Sequence, residues 1–135
     1  MQITKQADYA LRAMLYLAQL PPNERASTSR IADEQAIPPS FLAKIISQLS
    51  IAGLIHTSRG AHGGVSLAVA PEKITVLDVV EAIDGPLALN ECTLNPMICP
   101  SGPDCPLHSL WCEAQADLVR KLRNTTFASV VKIAA

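Results

Sequence analysis

All four cysteines of the chain, together with His108, fall within the 21 residues from Cys92 to Cys112. Pro96, Pro100, Pro103 and Pro106 break up the same stretch. Proline removes a backbone donor and locks φ, so the first part of this segment is excluded from helix interiors and central strands. A loop so interrupted has no core of its own. It is rich in soft ligands, however, and a metal centre can hold such a loop where packing cannot. The stretch predicts a metal site and leaves the rest of the chain to be read as whatever that site controls.

The chain has 135 residues, which predicts one domain or a small domain with an appended helix. Hydrophobic residues make up 49% and aromatic residues 4%, so a real but mainly aliphatic core is expected. The N-terminus enters an amphipathic pattern directly, and no signal peptide is expected. No apolar run approaches the roughly 18 residues that span a bilayer. A cytoplasmic location follows as an expectation, and there clustered cysteines more often bind metal than form disulfides. The net charge of −1 carries no general nucleic-acid signal. Its distribution is uneven: residues 1–70 hold six Lys/Arg against four Asp/Glu, whereas residues 71–135 hold five against eight. Any DNA surface therefore belongs to the N-terminal half.

Thr4 is a candidate N-cap for a helix running to about Leu20, with Ala7, Ala10, Leu11, Met14, Leu17 and Ala18 on one face. Pro21 and Pro22 stop it. Ser27, Thr28 and Ser29 offer caps for a short helix near 29–36, with Ile31 and Ala32 inward. A second helix, 39–52, carries an apolar stripe of Leu42, Ile45, Ile46, Leu49 and Ala52, and Gly53 stands where a left-handed cap is needed. Helix, tight turn, helix is the helix-turn-helix pattern. Strand-like runs at Leu54–Arg59 and Val65–Val69, joined by the Gly60–Gly64 loop, predict a hairpin. Placed there, the hairpin is either a DNA-contacting wing or a piece that merely completes the core. Thr75 caps a further helix to about Ile83, with Val76, Val79, Val80 and Ile83 inward. After the cysteine loop a long helix runs from Cys105 or Pro106 to Asn124. Its stripe of Leu107, Trp111, Ala114, Leu118 and Leu122, widened by Leu110 and Val119, suits packing on its own domain or dimerisation. Thr125–Val131 predicts a short terminal helical turn.

Six residues separate Cys92 from Cys99, five separate Cys99 from Cys105, and two separate Cys105 from His108. Positions 105 and 108 share a helix face, so their ligand atoms can converge. A cysteine at a helix N-terminus is favoured as thiolate. Three thiolates and an imidazole suit an iron–sulfur cluster or zinc, and the chemistry favours the cluster. Cys112, one turn past His108, reads as a small packed side chain, with a spare ligand or redox partner as the alternatives. Asp8 has an ordinary role available, pairing with Arg12 four residues on.

The order of helix-turn-helix, wing ending Arg59-Gly60-Ala61-His62-Gly63-Gly64, three cysteines, His108-Ser109-Leu110-Trp111 and a long helix resembles the Rrf-two family of bacterial transcription regulators. The match covers essentially the whole chain, from Thr4-Lys5-Gln6-Ala7-Asp8-Tyr9-Ala10-Leu11-Arg12 to Thr125-Thr126-Phe127-Ala128. The resemblance implies a homodimer on double-stranded, palindromic promoter DNA, with a cluster held by the cysteines tuning that binding. Cluster-biogenesis regulators of the family hold a 2Fe–2S cluster with three cysteines and a histidine separated from the third by two residues, matching Cys92, Cys99, Cys105 and His108 with one extra residue between the first two cysteines. Nitric-oxide sensors of the family hold a 4Fe–4S cluster whose fourth ligand is an aspartate in the partner's first helix, matching Asp8. Both candidates are present, with 2Fe–2S favoured.

Within that reading Ser40, Lys44, Ser47 and Gln48 are the outward candidates on the recognition helix. Ser27, Thr28 and Arg30 would hold the phosphate backbone. The resemblance puts Arg59, with His62, Gly63 and Gly64 of the loop, at the minor groove. Ala43 stands where family members can carry an acidic residue that separates promoter classes, so that switch is not carried over. The expected organisation is a mainly α winged helix-turn-helix domain with a β-hairpin wing at 1–85, a cysteine-rich cluster loop at 86–108, and a dimerisation helix with C-terminal turn at 106–135. The expected function is a promoter-binding regulator, a repressor. A zinc-stabilised DNA-binding protein without sensing and an iron–sulfur electron-transfer protein are the alternatives. An enzyme is not expected, because no nucleophile–base–orienter set or cofactor loop is visible.

Overall fold

The computed structural model describes residues 2–61, 63–90, 93 and 104–134. Helix α1 (Lys5–Gln19) starts where Thr4 caps it, its hydroxyl accepting from the Ala7 N–H at 3.1 Å. Ala7, Ala10, Ala13, Met14 and Leu17 lie along one face and are buried. Helix α2 (Thr28–Gln35) is capped by Ser27, whose hydroxyl accepts from the Arg30 N–H at 3.1 Å, and α3 spans Pro39–Ile51. Between them Ala36 adopts the left-handed conformation (φ 51°, ψ 47°). That turn lets the Ile37 N–H donate to the Ala32 carbonyl at 3.0 Å and reverses the chain.

Ile31 and Ala32 of α2, with Leu42, Ile45, Ile46 and Leu49 of α3, join α1 in the main core. Ala52, expected on the same stripe, is instead exposed. The helix has already ended at Ile51, and Gly53 (φ 78°) closes it: Gly53 N–H donates to Ser50 O and Leu54 N–H to Leu49 O, each at 3.0 Å. This is a Schellman pair, which turns the chain away from the core at position 52.

Strands β1 (Ile55–Ser58) and β2 (Gly64–Leu67) pair antiparallel, Ile55 opposite Leu67 and Ser58 opposite Gly64. A lone hairpin has little stability of its own. This one is held along its outer edge, where Ala26 and Val65 exchange N–H···O bonds of 3.0 and 2.7 Å. The wing is thereby fixed to the residue just ahead of α2.

A 3-10 turn (Pro71–Lys73) leads into α4 (Val76–Asp84). A capping box opens α4: Asp78 N–H donates to Thr75 Oγ1 at 3.1 Å, and Thr75 N–H donates to Asp78 Oδ2 at 3.0 Å. Leu77, Val79 and Val80 are buried, whereas Val76 and Ile83, both expected inward, are half-buried. The reason is that two neighbours cover α4. Val79 belongs to the main core, while Leu77 and Val80 form a smaller cluster with Leu87, against which Val119 and Leu122 pack.

Those last two residues come from α5 (Pro106–Arg123), which is followed by α6 (Phe127–Ala134). Helix α6 is longer than a terminal turn, and it is anchored. Phe127 is 2% exposed in the main core, its N–H donates to Ile74 O at 2.9 Å, and Val76 N–H donates to Thr125 O at 2.9 Å. The described residues thus make six α-helices and one antiparallel hairpin, the mainly helical winged-helix architecture expected.

Candidate nucleic-acid interface and metal centre

Helix α3 turns Leu42, Ile45, Ile46 and Leu49 inward, which leaves Ser40, Lys44 and Ser47 exposed on the opposite side. Gln48, read from sequence as a fourth outward residue, behaves differently. It is half-buried, and its Oε1 is shut from solvent with no hydrogen-bond partner among the described residues. Position 48 lies one turn beyond Ile45, on the flank of the buried stripe rather than across from it. Ile51 was missed. It is 84% exposed, four residues beyond Ser47 on the outward side, and that spacing was the available signal.

A groove of about 630 Å³ separates α3 from the wing. Its lining includes Ser27 and Thr28 from the start of α2, Ala43, Ser47 and Ile51 from α3, and Arg59 from the wing. Hydroxyl groups and a guanidinium around a concave wall are suited to a phosphodiester strand. The wing loop needs its glycines: Gly60 sits at φ 100°, and a Cβ on Gly63 would collide with the Ser58 carbonyl oxygen. His62 lies outside the described residues. Arg25 Nη1 donates to Ser58 Oγ at 3.2 Å, a further tie between the wing and the loop before α2.

Arg30 emerges from the first turn of α2 but is engaged elsewhere. Its Nη1 lies 3.4 Å from Glu24 Oε1 and its Nε 4.0 Å from Glu34 Oε1. The guanidinium also stands over the Tyr16 ring, 5.6 Å from its centre. The hydrogen bond to Glu24 is the leading cause that raises the Arg30 pKa further above its already high ordinary value.

Of the sulfur donors, Cys92 and Cys99 lie outside the described residues. Cys105 is the N-cap of α5, half-buried and free, and its carbonyl accepts from the His108 N–H at 3.0 Å. The expected placement of these two donors on the opening turn of one helix is therefore present. His108, however, directs its ring toward Cys112, with Sγ 3.5 Å from Nε2 and 4.0 Å from Nδ1. Cys112 is half-buried, as Cys105 is. Among the described residues no three donors converge on a metal-sized space.

Asp8 is exposed and pairs with Arg12 at 3.4 Å. Arg12 in turn donates to the Gln35 carbonyl at 3.2 Å and covers the Tyr9 ring at 4.9 Å. The stem entering the cysteine loop is tied to α5. Leu89 N–H donates to Gln115 Oε1 at 3.0 Å, and with the Asn90 amide turned so that its oxygen faces the indole, Trp111 Nε1–H donates to that oxygen at 3.0 Å.

The apolar stripe of α5 is divided between two uses. Leu122, with Val119 beside it, packs on the α4 cluster, whereas Leu107 and Leu110 are 55% and 50% exposed. Trp111, Ala114 and Leu118 lie half-buried between the two ends. No helix among the described residues is long and apolar enough to cross a membrane.

The model of the Rrf2 family, described as "Iron-dependent Transcriptional regulator", matches residues 3–133. The chain belongs to the Rrf2 family. It is similar to a putative transcriptional regulator from Listeria innocua, at 29% identity and a TM-score of 0.85, and to T. potens IscR, at 27% and 0.81. Both alignments cover 100% of this chain and 89% of the other. CymR, the global cysteine regulator of B. subtilis, shares the fold at a TM-score of 0.82 and 24% identity, over 98% of each chain. The protein is a transcription regulator of this family and not an enzyme.

Proposed function

We propose that this regulator is a cytoplasmic homodimer that binds promoter DNA as a repressor, and that an iron–sulfur cluster tunes the binding. Cys105 carries the proposal. It caps α5 with His108 one turn on, and the far end of the same helix packs through Val119 and Leu122 on α4 of the winged helix. A ligand bound at the first turn of α5 thus acts on an element that is continuous with the DNA-binding unit.

The donor chemistry fits the group: thiolates with an imidazole are soft to borderline ligands that suit iron–sulfur. Cys92, Cys99, Cys105 and His108 would hold a 2Fe–2S cluster. Asp8 from a partner subunit would complete a 4Fe–4S cluster instead, but its carboxylate already faces Arg12, and that favours His108. When bound, the cluster supplies a centre that responds to redox state, nitric oxide or cluster supply. His108 must turn from Cys112 to ligate, and the Gln115–Leu89 bond keeps the loop stem against the same helix.

The division of labour follows the expected units: 1–85 reads DNA, 86–108 holds the cluster, and 106–135 dimerises. On DNA, Ser40, Lys44 and Ser47 read the major groove, and Ser27 and Thr28 hold a phosphate at the start of α2. Arg59 with the Gly60–Gly64 loop enters the minor groove. Exposed Leu107 and Leu110, with Trp111, Ala114 and Leu118, supply the contact between copies, and Leu122 supports it from the α4 side.

Anaerobic purification tests the cluster. Coloured protein with iron and acid-labile sulfide is expected, with the absorbance altered in His108→Ala and retained in Asp8→Ala. Colourless protein with one zinc per chain would overturn the sensing role. Promoter binding by holo, apo and Cys105→Ala protein tests the coupling, and about a 5–150-fold difference in affinity is the range such couplings reach. Indistinguishable affinities would refute it.

A further inference from the structure

Arg30 is the only cation of α2, a helix that also carries Asp33 and Glu34. Its guanidinium is bracketed by Glu24 at 3.4 Å and Glu34 at 4.0 Å and backed by the Tyr16 ring. The helix start beside it, at Ser27 and Thr28, lines the groove between α3 and the wing. A phosphate reaching that helix start meets an arginine whose charge is already answered, and two carboxylates that repel it.

We propose that Glu24 and Glu34 form a built-in restraint on DNA affinity, holding Arg30 away from the phosphate backbone so that non-specific binding stays weak. The inference rests on the DNA-binding reading above and adds to it a residue set that governs discrimination. Exposed ion pairs are individually weak and screened by salt, so the restraint tunes binding rather than blocking it. A backbone phosphodiester carries one negative charge, as a carboxylate does, and its two free oxygens match the paired donors of a guanidinium, so it competes with Glu24 and Glu34 for Arg30 on comparable terms. Non-specific affinity is set by the number of phosphates neutralised, and each one adds about 0.9 to the slope of log K against log salt. With Arg30 withheld, that sequence-independent contribution is smaller, while the base-reading contribution from α3 is untouched. The ratio of specific to non-specific affinity therefore rises.

A double-mutant cycle on the full chain tests this. Fluorescence anisotropy across a KCl series would compare wild type, Arg30→Ala, Glu24→Gln/Glu34→Gln and the triple variant. Each would be measured on a mixed-sequence duplex and on an operator selected from a random pool. The Glu24→Gln/Glu34→Gln protein is expected to bind mixed-sequence DNA severalfold more tightly, with a slope steeper by about one contact, and to lose discrimination. Arg30→Ala is expected to change little in the wild-type background and to remove that gain in the carboxamide background.

Equal effects of Arg30→Ala in both backgrounds would overturn the proposal, as would unchanged affinity of the carboxamide protein. If the double variant does not fold, Glu24→Gln alone must strengthen binding through Arg30, and its failure to do so refutes the restraint. Arg59→Ala separates the two readings. Weakened binding by Arg59→Ala beside an additive cycle sinks the restraint and leaves the DNA reading standing. No salt-dependent binding of either duplex by wild type removes both.

Discussion

Ala36 sits at φ 51°, ψ 47°, in a region that costs a side chain bearing a Cβ about 1–2 kcal/mol. It is exposed, so its methyl group gains little packing in return. Ala36→Gly is expected to stabilise the protein by about 1 kcal/mol, seen as a higher urea midpoint at unchanged m-value. A lower midpoint would mean that the methyl group is worth more than the strain. Several individual residues were readable without the fold. Thr4, Ser27 and Thr75 all cap the helices they precede, because a capping hydroxyl needs only local geometry. Gln48 and Ile51 were not readable to the same standard. A residue on the flank of an amphipathic helix is assigned to core or solvent by its neighbours, and here those neighbours bury the amide oxygen of Gln48 and leave Ile51 open.

Helix α5 has no fully buried residue in its own chain, although it is amphipathic along its length. Its C-terminal half covers α4, and its N-terminal half presents Leu107 and Leu110 to solvent. Adjacent exposed leucines beside a half-buried tryptophan are the kind of surface that seeks cover. In the dimer proposed above, Leu107→Glu/Leu110→Glu is expected to raise the dissociation constant at least about tenfold, or 1.4 kcal/mol. Sedimentation velocity checks this, with far-UV circular dichroism confirming retained helix. A dimer of undiminished affinity would move the interface off this face. The heptad-like spacing foretold an apolar stripe, yet spacing is silent on how many partners share it. That one end of the stripe is covered by α4 and the other is left open is a tertiary outcome.

Phe127 connects the end of the chain to its beginning. It is 2% exposed in the core that contains Met14, Leu42 and Val65, and its N–H is bonded to Ile74. Removing a buried phenyl ring leaves a cavity worth about 3–5 kcal/mol, so Phe127→Ala is expected to lower the thermal midpoint while keeping one cooperative transition. A loss under about 1 kcal/mol, or a separate early transition, would show α6 to be docked independently of the winged helix. The terminal segment read from sequence as a short turn is therefore a structural clasp. It ties the residues that follow α5 to Ile74 and Val76 and returns the chain to the main core.

Local physics accounts for what was legible in the residues alone. Caps, proline breaks, apolar periodicity and a glycine-rich hairpin act over a few residues, and they suffice for a winged helix followed by a cysteine loop and a long helix. The spacing of Cys105 and His108 likewise placed both on one helical turn. Non-local contacts decided the rest: Leu89 bonds to Gln115 across the cysteine loop, Phe127 enters the core that holds Met14, and α5 divides its apolar face between α4 and solvent. Each of these depends on which surfaces meet, and a one-dimensional pattern carries no record of that meeting.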